Sequence, residues 1–119
     1  MFWIEKIKRI SSKCWNNAEE ELKIPEFEAE EERRYRIIFL GLVQGVGFRY
    51  EVWRLAEKIG ITGFAENLPN GNVLVEAQGG KNRLLYLVDY MKSIPRIYIE
   101  DIQIDEIEMK EEKGFYAVY

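Results

Sequence analysis

Between the apolar run Tyr35 to Val43 and the amphipathic stretch Arg49 to Ile59 stands Val43-Gln44-Gly45-Val46-Gly47-Phe48-Arg49. The first neighbour reads as a strand and the second as a helix, so this segment is a glycine-bearing loop leading from one into the other. Two glycines let successive backbone N–H groups turn inward around one point, where a Cβ would otherwise obstruct them. Arg49 falls on the first turn of the helix and adds a planar cation at its positive end. A loop of this kind favours a small tetrahedral dianion, and phosphate is the obvious candidate.

From Arg34 onward the hydrophobic period switches repeatedly. It predicts a strand over 35–43, a helix over 49–59, strands over 62–67 and 72–78, a helix over 81–94, and strands over 99–109 and 114–119. Gly60 suits the end of the first helix and Pro95 the end of the second. Leu68-Pro69-Asn70-Gly71 separates two short strands, and Asn-Gly suits the positive φ angles of a tight hairpin. Leu84, Leu85, Val88 and Met91 are expected on the sheet-facing side of the second helix. The order β-α-β-β-α-β is the split βαβ of an α+β, ferredoxin-like sandwich. An antiparallel sheet with two helices on one face follows, extended by a short last strand.

Alternation in the first strand puts Tyr35, Ile37, Phe39 and Val43 on one side and Arg36, Ile38, Leu40 and Leu42 on the other. In the third strand Val73, Val75 and Ala77 oppose Asn72, Leu74 and Glu76. The face away from the helices is thus expected to carry Ile38, Leu40, Leu42 and Leu74, with Tyr116 and Val118, a patch too apolar to leave in water.

Residues 1–33 differ from the remainder. Trp3, Ile7, Ile10, Cys14, Ala18 and Leu22 recur at helical spacing, which predicts an extra amphipathic helix reaching Lys23. Pro25 and the run Glu26, Glu28 and Glu30 to Glu32 read as helix end and solvated linker. Two regions are expected: residues 1–33 as helix and acidic linker, and residues 34–119 as the main domain. Through Phe2, Trp3, Ile7, Ile10 and Trp15 the helix can cover the apolar sheet face, either on its own chain or on a neighbouring subunit. Its basic half, Lys6, Lys8, Arg9 and Lys13, also suits an anionic membrane surface, although the acidic segment that follows would be repelled there.

Composition closes several routes. The chain has no histidine, which rules out Ser-His-Asp and Cys-His nucleophile systems, histidine-bearing zinc sites and imidazole acid–base chemistry. Net charge is −4, which disfavours a sequence-independent hold on nucleic acid. Cys14 is the only cysteine, so no internal disulfide forms and a cytoplasmic setting is expected. No apolar run approaches the roughly 20 residues of a membrane span. Tyr50 stands where a dinucleotide fingerprint would have its third glycine, and no P-loop pattern occurs. Tyr50 and Trp53 read as packing residues.

A second set of residues runs Gly63-Phe64-Ala65-Glu66-Asn67-Leu68-Pro69-Asn70-Gly71-Asn72-Val73-Leu74-Val75-Glu76. Together with Gly41 to Arg49, it resembles the acylphosphatase family, whose signatures run approximately G-x-V-Q-G-V-G-F-R and G-x-V-x-N-x-x-D-G-x-V-E. The first is unbroken here. In the second, Ala65 replaces valine, Asn70 replaces aspartate and Leu74 stands at the glutamate. The resemblance covers about residues 34 to 119 and leaves residues 1–33 outside.

The resemblance implies hydrolysis of acyl phosphates to a carboxylate and inorganic phosphate. It implies that Arg49 grips the phosphoryl group with the backbone amides of Gln44, Gly45, Val46, Gly47 and Phe48, and that Asn67 positions the attacking water. A small-molecule acyl phosphate would be the substrate, with no metal and no cofactor. The residues support the same chemistry by themselves. A carboxylate leaving group has a conjugate-acid pKa of about 4 and departs without a general acid, which removes the main need for histidine. Phosphoryl transfer passes through a loose transition state in which positioning and charge balance do most of the work. Two other readings stay open at this point: a carbamoyl-phosphate hydrolysing domain, and a non-catalytic ferredoxin-like interaction module. Turnover of benzoyl phosphate, lost on changing Arg49 or Asn67, separates the enzyme from the module.

Overall fold

The structure, a computed structural model, describes residues 23–119. The predicted N-terminal helix, with its docking on a sheet face or a second copy, lies outside the described residues. Within them the order is β1 (Glu32–Leu42), α1 (Phe48–Ile59), β2 (Thr62–Asn67), β3 (Val73–Gly80), α2 (Lys81–Lys92), β4 (Tyr98–Ile107) and β5 (Phe115–Val118). The five strands form one sheet in the order β4-β1-β3-β2-β5. This is the ferredoxin-like arrangement with one strand added at the β2 edge.

Alternation in the strands builds the core. Ile37 and Phe39 of β1, Val43 just beyond it, and Val73, Val75 and Ala77 of β3 are all buried. Branched and aromatic side chains at every second position pack on a pleated surface. Onto them α1 sets Phe48, Val52, Leu55, Ala56 and Ile59, and its end is closed by Gly60 in the left-handed region with an N–H on the Ala56 carbonyl. On the other sheet face Ile38, Leu40 and Leu74 are half-buried and Leu42 is exposed.

Beyond shifts of strand ends, such as β1 beginning at Glu32 rather than residue 35, the structure differs from expectation in four places. First, β5 runs parallel to β2, from Gly63 beside Phe115 to Glu66 beside Val118, so the sheet expected to be antiparallel is mixed. The cause is topological. β4 lies at the far edge, so the chain crosses the sheet through residues 108–114 and reverses, arriving in the direction of β2. Second, α2 buries Leu87 beside Leu84, Val88 and Met91, whereas Leu85 is half exposed. Leu85 lies about a quarter-turn beyond Leu84 and falls outside a stripe centred on 84, 88 and 91.

Third, α2 ends at Lys92 rather than residue 94. Pro95 disfavours helical geometry at the residue before it, and the Ser93 hydroxyl takes the Tyr90 carbonyl instead. Fourth, the acidic run read as solvated linker is docked over its first part. Ile24 and Phe27 pack against the core, and the Phe27 ring meets Tyr86 edge-on at 5.7 Å. Glu30 accepts the Asn82 backbone N–H at 2.7 Å, which supplies the cap that Gly80 has no side chain to give.

Candidate functional site

The turn from β1 into α1 holds Gln44, Gly45, Val46 and Gly47. Gly45 and Gly47 have φ of 75° and 79°, a region closed to most L side chains, so the turn needs both glycines. Among the described residues, the backbone amides of Gln44 to Gly47 donate to no protein acceptor. Gly47 also has no side chain to cap the first turn of α1. A row of unspent N–H groups therefore meets the positive end of a helix, the arrangement that receives an anion. Phe48 anchors the loop from behind, its ring buried against Phe39 at 4.9 Å.

Arg49, second in α1, donates from Nη1 to the Val118 carbonyl and stands 4.0 Å from the centre of the Tyr119 ring. A guanidinium has five N–H donors, so this contact orients the group and leaves donors over. Val118 pairs with Glu66 across the β2–β5 ladder, and Asn67 follows directly as the last residue of β2. The ladder thus carries the contact of Arg49 to the residue beside Asn67. Asn67 is half-buried, and among the described residues its carboxamide makes no hydrogen bond.

The loop and the β2–β3 turn are fastened together by the Gln44 side chain. Its Nε2 donates to the Leu68 carbonyl at 2.7 Å and to the Asn72 carbonyl at 2.9 Å. Both donors of that amide are used on the strut, so Gln44 faces an anion through its backbone alone. In the turn Gly71 has φ of 97° and Asn70 accepts the Asn72 N–H at 3.1 Å. An asparagine where aspartate is usual makes the same local bond.

Behind the loop lies a charged group that neither sequence motif names. Arg96, between α2 and β4, donates from Nε to the Val46 carbonyl at 2.7 Å and from Nη2 to Glu51 at 2.6 Å. Glu51 is buried and also meets Arg54 and the Tyr90 hydroxyl. Burial and then the Glu51 charge push the Tyr90 phenol above its ordinary range. One signal was available: Glu51 sits on the apolar stripe of α1, where an acid needs a partner. Tyr50 and Trp53, read as packing residues, meet each other at the surface with ring centres 5.8 Å apart.

A second charged cluster occupies the far face of the sheet. Arg34 is fully buried and donates to Glu76 at 3.0 Å, to Gln78 at 3.2 Å and to Glu112. A hollow of about 770 Å³ borders it, lined by Gln78 and residues 109–113. The buried guanidinium is already spent on its neighbours.

Fold and site together define a ferredoxin-like domain in which a loop of unspent backbone N–H groups opens a helix and is tied to the β2–β3 turn that follows Asn67. Residues 35–117 match the acylphosphatase family. The chain is similar to an acylphosphatase of Chlorobaculum tepidum, 44% identical over 79 residues that span 66% of this chain and 86% of that one. It is similar to another from Ligilactobacillus salivarius, 36% identical over 89 residues, or 73% of this chain and 99% of that one. The crystal structure of acylphosphatase from Bacillus subtilis superposes with a TM-score of 0.68 at 38% identity, over 72% of this chain and 98% of that chain. Full-length HypF, solved in a phosphate- and nucleotide-bound form, superposes with a TM-score of 0.69 at 30% identity, over 79% of this chain and 13% of that chain. The chain belongs to the acylphosphatase family, and its reaction is that of the family: hydrolysis of a small acyl phosphate to a carboxylate and inorganic phosphate.

Proposed function

We propose that the amides of Gln44, Gly45, Val46, Gly47 and Phe48, with the Arg49 guanidinium, hold the phosphoryl group, and that Asn67 steers the attacking water. The observation that carries this reading is the row of unspent N–H groups at 44–47 beside Arg49. Fixed donors of this kind cost no reorganisation as charge shifts onto the phosphoryl oxygens. The Asn67 carboxamide can accept from water and donate to a substrate oxygen. It is a poor base, so the proton passes from the water to a phosphate oxygen.

In the proposed step the water oxygen bonds to phosphorus as the bond from phosphorus to the acyl oxygen breaks. The electron pair leaves with the carboxylate. Because that leaving group is stable as an anion, the reaction needs neither a general acid nor a metal. A cradle of N–H donors and a guanidinium repels a cation in any case. Residues 34–119 carry the activity, with residues 1–33 as an addition whose portion from Ile24 to Glu30 braces α2. The low cysteine content favours the cytoplasm, and the acidic net charge of −4 argues against a nucleic-acid partner. Among the described residues no helix is long and apolar enough to cross a membrane.

Hydrolysis of benzoyl phosphate in oxygen-18 water tests the proposed attack. Label in the inorganic phosphate is expected; label in the benzoate would mean attack at the carbonyl carbon and would remove the role given to the loop.

A further inference from the structure

We propose that Arg96, in the connection between α2 and β4, is a positioning residue for the phosphate loop: by holding the Val46 carbonyl on the outer side, it aims the Gly47 N–H at the bound phosphoryl group. The inference rests on the reading of the 44–48 amides as the phosphate cradle.

Peptide geometry links the Val46 carbonyl to the Gly47 N–H. In a trans peptide the C=O and the following N–H point in opposite directions. Arg96 Nε takes the Val46 carbonyl at 2.7 Å, so the Gly47 N–H in the same peptide plane is turned away from Arg96. The next peptide is fixed likewise. The Gly47 carbonyl accepts the Glu51 N–H at 3.1 Å as the first helical bond, which directs the Phe48 N–H out of the helix N-terminus. Val46 lies between two glycines, whose permissive backbone does not hold a peptide orientation unaided. An outside clamp is needed, and Arg96 is placed to be one.

The clamp has its own anchor. Arg96 Nη2 binds the buried Glu51 carboxylate at 2.6 Å, and Glu51 is held by Arg54 at 3.6 Å. A planar guanidinium spans a carbonyl and a carboxylate at fixed spacing, which an ammonium cannot reproduce. The fit is close: a Cβ built on Gly47 would come within 3.2 Å of Arg96 Nη2. Glycine at 47 therefore serves the clamp as well as the turn.

The test measures competitive inhibition by inorganic phosphate, and benzoyl phosphate turnover, in the whole chain and in Arg96→Ala, Arg96→Lys and Arg49→Ala. The expected result for Arg96→Ala is an inhibition constant and a KM each raised roughly tenfold, the order of one misdirected hydrogen bond to a charged group. The thermal midpoint should stay within a few degrees of wild type, and millimolar guanidinium should restore part of the affinity. Arg96→Lys, which keeps the charge and loses the fork, should resemble Arg96→Ala. Unchanged phosphate inhibition in Arg96→Ala, or full retention in Arg96→Lys, overturns the proposal. Arg49→Ala separates the two levels. If it keeps wild-type phosphate affinity, the cradle itself is wrong; if it loses that affinity while Arg96→Ala does not, only the clamp is wrong.

Discussion

The guanidinium of Arg49 lies 4.0 Å from the centre of the Tyr119 ring, and its Nη1 donates to the neighbouring Val118 carbonyl. The last strand thereby sets the angle at which the proposed phosphate-gripping cation enters the site. An exposed cation–π contact is worth about 0.5–1 kcal/mol. Tyr119→Ala should therefore lower kcat/KM for benzoyl phosphate by roughly two- to fivefold, with thermal stability almost unchanged. An unaltered kcat/KM would show that the Tyr119 ring does not orient Arg49.

Gln44 joins the two halves of the site through Leu68 and Asn72. Both carbonyls keep a second donor, Gly71 N–H for Leu68 and Leu68 N–H for Asn72, so their loss of Gln44 is tolerable in stability. Gln44→Ala should cost about 1–2 kcal/mol in urea unfolding. The larger effect falls on turnover, because a misplacement of about 1 Å between loop and water-positioning group costs on the order of a hundredfold. A fall in kcat no greater than the stability loss accounts for would contradict the strut.

The buried pair of Arg34 and Glu76 contributes to acid stability. Burial would raise the Glu76 carboxyl, but the hydrogen bond and charge of Arg34 outweigh it and hold the group below its ordinary value. Its contribution is therefore present above the ordinary carboxyl range near pH 4.3 and is lost as pH falls through the lower folded value. Glu76→Gln should cost roughly 3 kcal/mol near neutrality, because the Arg34 charge keeps only part of its compensation. Its stability should then fall less steeply than that of wild type below about pH 4. Parallel acid limbs for the two proteins would count against the pair.

Glu30 caps α2 from outside the helix, 2.7 Å from the Asn82 nitrogen. Glu30→Ala should lower stability by about 1 kcal/mol and leave kcat for benzoyl phosphate unchanged. Calorimetry beside a turnover assay decides the matter, and a stability equal to wild type would remove the cap.

What the sequence disclosed was local. Gly60 as a C-cap, Asn70-Gly71 as a turn and Gly45 with Gly47 as a loop are each fixed by backbone conformations that one or two residues impose. The strand and helix order followed from periodicity within single segments. Relationships between distant segments were hidden. Arg96 and Glu51 are 45 residues apart, and nothing near either names the other. The burial of Arg34 depends on the chain crossing over it at residues 110–112, and that crossing also reverses β5 into a parallel strand. Glu26 and Glu28 looked like linker because charge outweighs Ile24 and Phe27 in composition, whereas burial of those two apolar side chains decides where the segment lies.

The central claim is a division of labour between Arg49, which binds the phosphoryl group, and Asn67, which steers water to it. The most direct measurement compares inhibition by inorganic phosphate with benzoyl phosphate turnover in Arg49→Ala and Asn67→Ala. Arg49→Ala should lose both, turnover by roughly a hundredfold or more. Asn67→Ala should keep phosphate inhibition near the wild-type value while turnover falls by a similar factor. Near-normal turnover in Asn67→Ala, or undiminished phosphate inhibition in Arg49→Ala, would contradict the account.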